Sequence, residues 1–397
     1  MRLPSPNQSE YSYIIAGGGL AGLSLAYYLC QSQLAGESVL IIDEKQKSGN
    51  DKTWCYWSEE KEEFDSITEK EWSRISFFSK NGSVDLFDIT PYKYKKIKSE
   101  DWYNYVKNEL LKHKNIHFLQ ARVQKIHFAG IGASVDTNKG NYLASKKVFD
   151  SISPFPIELE NPLHIKQHFL GWNIESNFPA FKSESAHLFD FRISTGRDCE
   201  FMYVLPVNSH TALFEHTFFS GTLKEKAYYI DKIQSYLLAY YDLKEDDYRL
   251  VEEEYGVIPM IELNDDTQYV HQKWIKIGTA GGFVKSTSGY SFLRTQKICK
   301  KLVENLENEN YGAKVIEKSG FKSWIDRIFL KVLAESDIHG NEIFEALFKN
   351  NSPVLILKFL EEDTHWLEDL KIMSSVPTLP FFKAAIAEIF KIKPIDN

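Results

Sequence analysis

"SYIIAGGGLAG", Ser12 to Gly22, decides how the N-terminal part of the chain is read. A short apolar strand runs into Gly17-Gly18-Gly19-Leu20-Ala21-Gly22, which matches GxGxxG, and a helical stretch follows through about Cys30. A second strand, "SVLIID", ends on Asp43, about 20 residues beyond the last of these glycines. Strand, glycine turn, helix, strand and acid together form the context that a dinucleotide fingerprint requires. Gly17 permits the tight turn, Gly19 lets a pyrophosphate approach the backbone, and Gly22 lets the helix lie close to the sheet. Leu20 and Ala21 open the helix, whose free N–H groups face the phosphates, and Asp43 is placed to accept from a ribose.

Beyond Asp43 the chain does not continue as a compact βαβ repeat. A helix-like stretch from Ser99 to His113 precedes strands around Ile116 to Val123 and a meander through "VFDSI", Val148 to Ile152. Near the far end, "WIKIGTAGGFVKSTSGYSFLRTQ" (Trp274 to Gln296) reads as strand, small-residue turn and helix. Flavoproteins of the glutathione-reductase type return to their cofactor in this way, so FAD is favoured over NAD. Val123, Gly278, Gly281 and Gly282 complete the expected cofactor contacts. "GIGASV" at Gly130 lacks the last glycine of a second fingerprint, so NAD(P)H as electron source would visit without a domain of its own.

The remainder divides by composition. Residues 1–160 form the expected FAD-binding segment, completed by about 270–297; 161–269 read as a mostly antiparallel β-rich substrate segment; 298–397 read as helical. One helix interrupts the strands, opened by the capping box Thr222-Leu223-Lys224-Glu225. Glu59 to Glu71 is charge-rich and reads as a solvated helix face or loop. At 397 residues, 43% hydrophobic and 26% charged, the composition is that of a water-soluble globular chain. The net charge of −8, with no long basic block, argues against nucleic acid as a partner. Cys30, Cys55, Cys199 and Cys299 show no metal spacing and fit a reducing compartment. No signal-peptide pattern and no apolar run of about 18 residues is seen.

Within the β-rich segment, "HTALFEHTFFSG" (His210 to Gly221) is an apolar strand broken by Glu215 and His216. A carboxylate there is paired, turned to solvent, or kept for chemistry. On a regular strand His216 faces away from Glu215, as a supporting partner or a structural residue. Glu254 lines a cavity or sits on a surface strand, and Trp54 and Trp57 face the flavin or pack in the core.

The fingerprint followed by "DKTWCYW" (Asp51 to Trp57), "HFLGW", "FEHT", "YGVIPM" and "GTAGGFVKSTSGYSF", in that order over nearly the whole chain, resembles the lycopene β-cyclase family. The resemblance implies an FAD-dependent isomerase (an intramolecular lyase) that folds the ψ-ends of lycopene into β-ionone rings. It also implies reduced flavin without net redox change, acyclic carotenoids as substrates, and a cytoplasmic protein held peripherally at a membrane. In the family the strand motif carries two adjacent acids, the first catalytic. That acid maps to Glu215, and His216 departs from the second. The amphipathic stretch with Phe381, Phe382, Ile386, Ile389 and Phe390 is the expected membrane contact, against simple packing on the core. Two competing readings remain at this level: a flavin monooxygenase or prenyl reductase, and a catalytically silent carotenoid-binding flavoprotein.

Overall fold

The computed structural model describes residues 4–130, 132–155, 164–263, 269–310, 316 and 319–390. Ile131, within the incomplete "GIGASV" match, and Lys391 to Lys393 of the C-terminal amphipathic stretch lie outside them. The first strand, β1 (Glu10–Ala16), turns at the glycines into α1 (Leu20–Cys30) and returns as β2 (Val39–Asp43). Next come β3 (Thr53–Ser58), β4 (Lys70–Trp72), β5 (Arg74–Phe78), β6 (Val84–Asp88), β7 (Lys93–Lys98) and α2 (Ser99–Leu110). β8 (Ile116–Gln120), β9 (Val123–Ala129), β10 (Gly132–Thr137) and β11 (Gly140–Asp150) follow. β1 is flanked by β2 and β11 in parallel, with β8 beyond β2, and is buried on both faces, which explains its unbroken apolar run. Gly22 is obligatory for packing: a Cβ there would lie 1.9 Å from the Gly17 carbonyl oxygen.

A second sheet of seven strands is built from β12 (Lys166–Ser176), β13 (Ala186–Asp190), β14 (Cys199–Pro206), β15 (Thr211–Ser220) and, after α3 (Lys226–Tyr241), β16 (Tyr248–Pro259). Its order is β16-β12-β15-β14-β13-β5-β6, so residues 74–88, from the expected FAD-binding segment, hydrogen-bond into the substrate sheet. β15 lies deep in this sheet and its side chains alternate. Leu213 and Phe219 join the cluster formed with the C-terminal helices, while Phe214 and Phe218 pack with Tyr229 and Ile233 of α3.

The chain then adds β17 (Tyr269–His271) and β18 (Trp274–Lys276) to the first sheet. A short 3-10 turn at Gly278–Gly281 leads into α4 (Phe292–Glu307), which packs with α1 in one hydrophobic cluster. Helices α5 (Gly320–Glu335), α6 (Gly340–Asn350), α7 (Pro353–Leu360), α8 (Trp366–Ser375) and α9 (Thr378–Phe390) follow.

The helix expected at the end of the Trp274–Gln296 stretch is α4, which begins at Phe292. Two local expectations are corrected. The Thr222–Glu225 box does not start α3, which begins at Lys226 with no side-chain cap on Glu225; the Thr222 N–H and carbonyl turn back to the Ser220 hydroxyl instead. The charge-rich Glu59–Glu71 stretch is a loop with a 3-10 turn that runs into β4, and it is partly buried rather than solvated. Its acids neutralise lysines that β7 turns inward: Glu69 lies 2.7 Å from Lys96 and Asp65 2.7 Å from Lys95. A buried ammonium requires such a partner.

Candidate active site

Gly19, the N-cap of α1, stands over open space: a Cβ on it would meet nothing within 4 Å. The first N–H groups of a helix have no partner within it, so this opening suits an anion. The Asp43 carboxylate accepts from the Gly18 N–H at 2.7 Å and the Lys45 N–H at 2.7 Å, which fixes it at the mouth of the glycine turn. From the other side Gly278, at φ +64°, brings the late turn against Ala21 and Ser151. The residues present therefore fit a dinucleotide whose pyrophosphate lies over the helix start.

Gly19, Leu20, Ala21 and Gly278 border a cavity of about 480 Å³ that continues to the seven-stranded sheet and the C-terminal helices. Trp54 stands on its wall, edge-on to Trp102 at 5.3 Å. Trp57 lies further in, its indole N–H donating to the Leu357 carbonyl of α7 at 3.1 Å. The inner wall is aromatic and aliphatic, with Phe189, Phe201, Phe344, Phe348 and Ile372. Gly281, Gly282 and Val123 do not border it. A Cβ on Gly281 would lie 2.4 Å from the Lys276 carbonyl oxygen, Gly282 takes φ +77° to end the turn, and Val123 packs with the cluster of Leu40 and Ile42.

Glu215 enters this cavity from β15. It is buried, and its Oε1 accepts from the Thr217 hydroxyl at 2.9 Å. Burial, reinforced by the negative charge of Glu254, pushes its carboxyl up to about 8, against smaller opposing contributions from Thr217 and Lys52. It therefore carries a proton at neutral pH. Glu254, on β16, borders the same cavity and accepts the Thr53 N–H at 2.8 Å.

His216 takes the opposite face. It is fully buried under α3, with Nε2 3.0 Å from Glu200 Oε1 and its ring stacked on Tyr228. Burial favours the neutral imidazole and outweighs the pull of Glu200, so this contact is a hydrogen bond from His216 N–H to the carboxylate. The structure separates the two adjacent polar residues rather than bringing them together.

Sequence reasoning missed a phenol group behind Glu215. Tyr203 faces Glu215 across the β14–β15 ladder, and the Tyr94 hydroxyl lies 2.6 Å from that of Tyr203 and 2.7 Å from that of Tyr290. The signal was present in "CEFMYVLPV", where Phe201 and Tyr203 share one parity. Among the described residues no cluster of His, Cys, Asp or Glu is arranged to hold a metal.

A model of the family described as lycopene cyclase protein matches residues 13–386. The chain belongs to the lycopene cyclase family. No curated protein sequence matches it. Among solved structures it is similar to a geranylgeranyl bacteriochlorophyll reductase-like protein from Thermoplasma acidophilum, with TM-score 0.66 and 12% identity over 94% of this chain and 98% of that one. It is also similar to p-nitrophenol 4-monooxygenase PnpA from Pseudomonas putida, with TM-score 0.57, 14% identity and coverage of 95% and 99%. Halogenase PltM in complex with phloroglucinol and FAD gives TM-score 0.56, 15% identity and coverage of 95% and 86%. At these identities the likeness is one of fold: this chain shares a mixed α/β architecture with the reductase-like protein, the monooxygenase and a flavin-dependent brominase.

Proposed function

We propose that this chain is a lycopene β-cyclase that binds FAD in the glutathione-reductase manner and closes the ψ-ends of lycopene into β-ionone rings. The observation that carries this reading is Glu215: a carboxyl group holding its proton inside a largely apolar cavity that reaches the nucleotide turn. Cyclisation needs a proton on C2 of the terminal double bond, attack of C5=C6 on the tertiary cation at C1, and loss of a proton from C6. Glu215 is the group to hold and deliver that first proton. Its raised affinity for protons is worth only a few kcal/mol, so alignment in a dry site and stabilisation of the cation supply the rest. Trp54, Trp57 and the phenol of Tyr203 border the cavity, and aromatic rings stabilise such a cation. FAD in its reduced form, when bound, would supply negative charge that stabilises the cation. Gly19, Leu20, Ala21, Gly22, Asp43 and Gly278 are the residues that would hold it, with NAD(P)H as the source of its electrons. The net reaction transfers no hydride to the product, which separates it from the monooxygenase and reductase chemistry of the fold neighbours.

The substrate partitions into lipid, and we extend the proposal to peripheral attachment at the cytoplasmic membrane face. Among the described residues no helix is long and apolar enough to cross a membrane. On α9, Phe382 and Phe390 are 61% and 67% exposed, with Leu379 and Ile389 beside them. Phe381, expected to share that face, turns inward against Phe329. α8 adds exposed Trp366 and Leu367, which sequence reasoning did not single out.

The experiment is anaerobic incubation of the purified protein with lycopene in liposomes and chemically reduced FAD. γ-Carotene and β-carotene formed without stoichiometric NAD(P)H oxidation support the cyclase. Product carrying added oxygen or hydrogen moves the chain to the redox enzymes, and bound, unchanged lycopene makes it a silent carotenoid binder.

A further inference from the structure

Two glutamates, Glu215 and Glu254, enter the cavity, and the reaction as argued uses only one. Glu215 of β15 and Glu254 of β16 both stand opposite Gly171 of β12, one on each side of it. Gly171 puts no side chain between them; a Cβ there would already lie 3.6 Å from Glu215 Cγ and 3.3 Å from Leu213 Cδ1. Their surroundings differ in kind. Glu254 receives the Thr53 N–H at 2.8 Å on one oxygen and has Lys52 Nζ at 3.5 Å from the other. Both contacts favour a carboxylate. Glu215 has the Thr217 hydroxyl and, among the described residues, no ion pair.

We propose that Glu254 is a positioning residue, an anchored anion that keeps a proton on Glu215 so that Glu215 enters each turnover as an acid. The inference rests on the cyclase reading and names the group that sets the state of its acid. Every titratable group facing Glu215 bears on it: Tyr203 from β14, Glu254 from β16, Lys52 and Cys55 from the β3 edge, and Tyr290 from the segment before α4. Burial pushes the Cys55 thiol up to about 12 and raises both phenols, so these three stay neutral at working pH. Glu254 and Lys52 are the charges left to act. Burial raises Glu254 as well, but Lys52 and the Thr53 N–H oppose that rise, whereas Glu254 itself adds to the rise at Glu215. Of the two acids, the one that receives an N–H and faces an ammonium keeps the charge, and its charge disfavours ionisation of the other.

The sign follows. Glu215 is active when protonated, so the rate holds below its raised value and falls as pH climbs through about 8. Glu254→Gln keeps the shape and an acceptor for the Thr53 N–H while removing the anion, so Glu215 loses its proton more easily. Two readouts are taken on FAD-loaded protein: ring formation against pH with lycopene liposomes, and the infrared band of a protonated carboxyl, assigned by its loss in Glu215→Gln. The expected result is that both the alkaline limb and the band titrate about 1 pH unit lower in Glu254→Gln, with the low-pH rate within a few-fold of the parent. Glu254→Asp, which restores the charge, should bring both back toward the parent. An unchanged limb and band would overturn the inference. So would a folded, FAD-bound Glu254→Gln that is inactive at every pH with its band unmoved, because Glu254 would then take part in the chemistry itself. A band that shifts as expected in a protein forming no ring supports the inference while ending the cyclase reading.

Discussion

The seven-stranded sheet buries a glutamate on each face, and the two are handled in opposite ways. Under α3, Glu200 meets His216 at 3.0 Å, and that hydrogen bond holds its carboxyl below the ordinary range although burial alone would raise it. On the cavity face, Glu215 has a hydroxyl and a second acid for neighbours, and its carboxyl is pushed up to about 8. Burial is common to both. A carboxylate supplied with donors is a structural element that cements strand to helix, whereas an acid with one hydroxyl and a second acid beside it, opening on a cavity, is a proton held ready. The FEHT stretch places the cavity acid, Glu215, and the partner of the other glutamate, His216, on consecutive residues of one strand.

The comparison is broken most severely by Glu215→Gln. Shape and hydrogen bonding are kept, and a loss of about 100-fold or more in ring formation is expected with FAD content matched to the parent. Near-parental product would place Glu215 in the same structural class as Glu200. Gly19→Val comes next. Gly19 has φ −83°, which valine tolerates, and its missing Cβ points into open space. The variant should fold normally and lose FAD affinity; full flavin occupancy would show that the pyrophosphate lies elsewhere.

His216→Ala sharpens the other half. It takes from buried Glu200 its shortest hydrogen bond, leaving Tyr228 and Thr195 as donors, at a cost of about 1 kcal/mol of stability read by thermal unfolding. Turnover per bound FAD should change only a few-fold, and a loss as large as that of Glu215→Gln would mean that the two faces work as one. The smallest effect concerns the membrane. Phe382→Ser should weaken liposome binding about tenfold, given about 1.5–3 kcal/mol for burying such a ring, without a change in melting temperature. Phe381→Ser should do the reverse, because that ring packs on Phe329.

What was legible in the sequence was local. The glycine turn, its strands and Asp43 lie within about 30 residues, and backbone sterics dictate them directly. Glu215 was legible because a carboxylate in an apolar strand is an anomaly, and strand alternation sent His216 the other way. What was not legible arises from pairing across the chain. Thr53 and Glu254 meet over 201 residues, so the anchoring of Glu254 left no trace in the spacing of either. The burial of the Glu59–Glu71 acids is not visible in the sequence, because the inward turn of Lys95 and Lys96 depends on how β3, β4 and β7 pair. The split between Phe381 and Phe382 likewise depends on which side of α9 meets α5.

The central claim is that a carboxyl proton in exchange with solvent, rather than a hydride or oxygen, starts the reaction, and cyclisation in deuterated water reads this directly. With lycopene liposomes and reduced FAD under anaerobic conditions, the account predicts one deuterium at C2 of every β-ionone ring formed, with no net oxidation of the flavin. Rings formed without solvent deuterium, or with flavin oxidised in step with product, would contradict it.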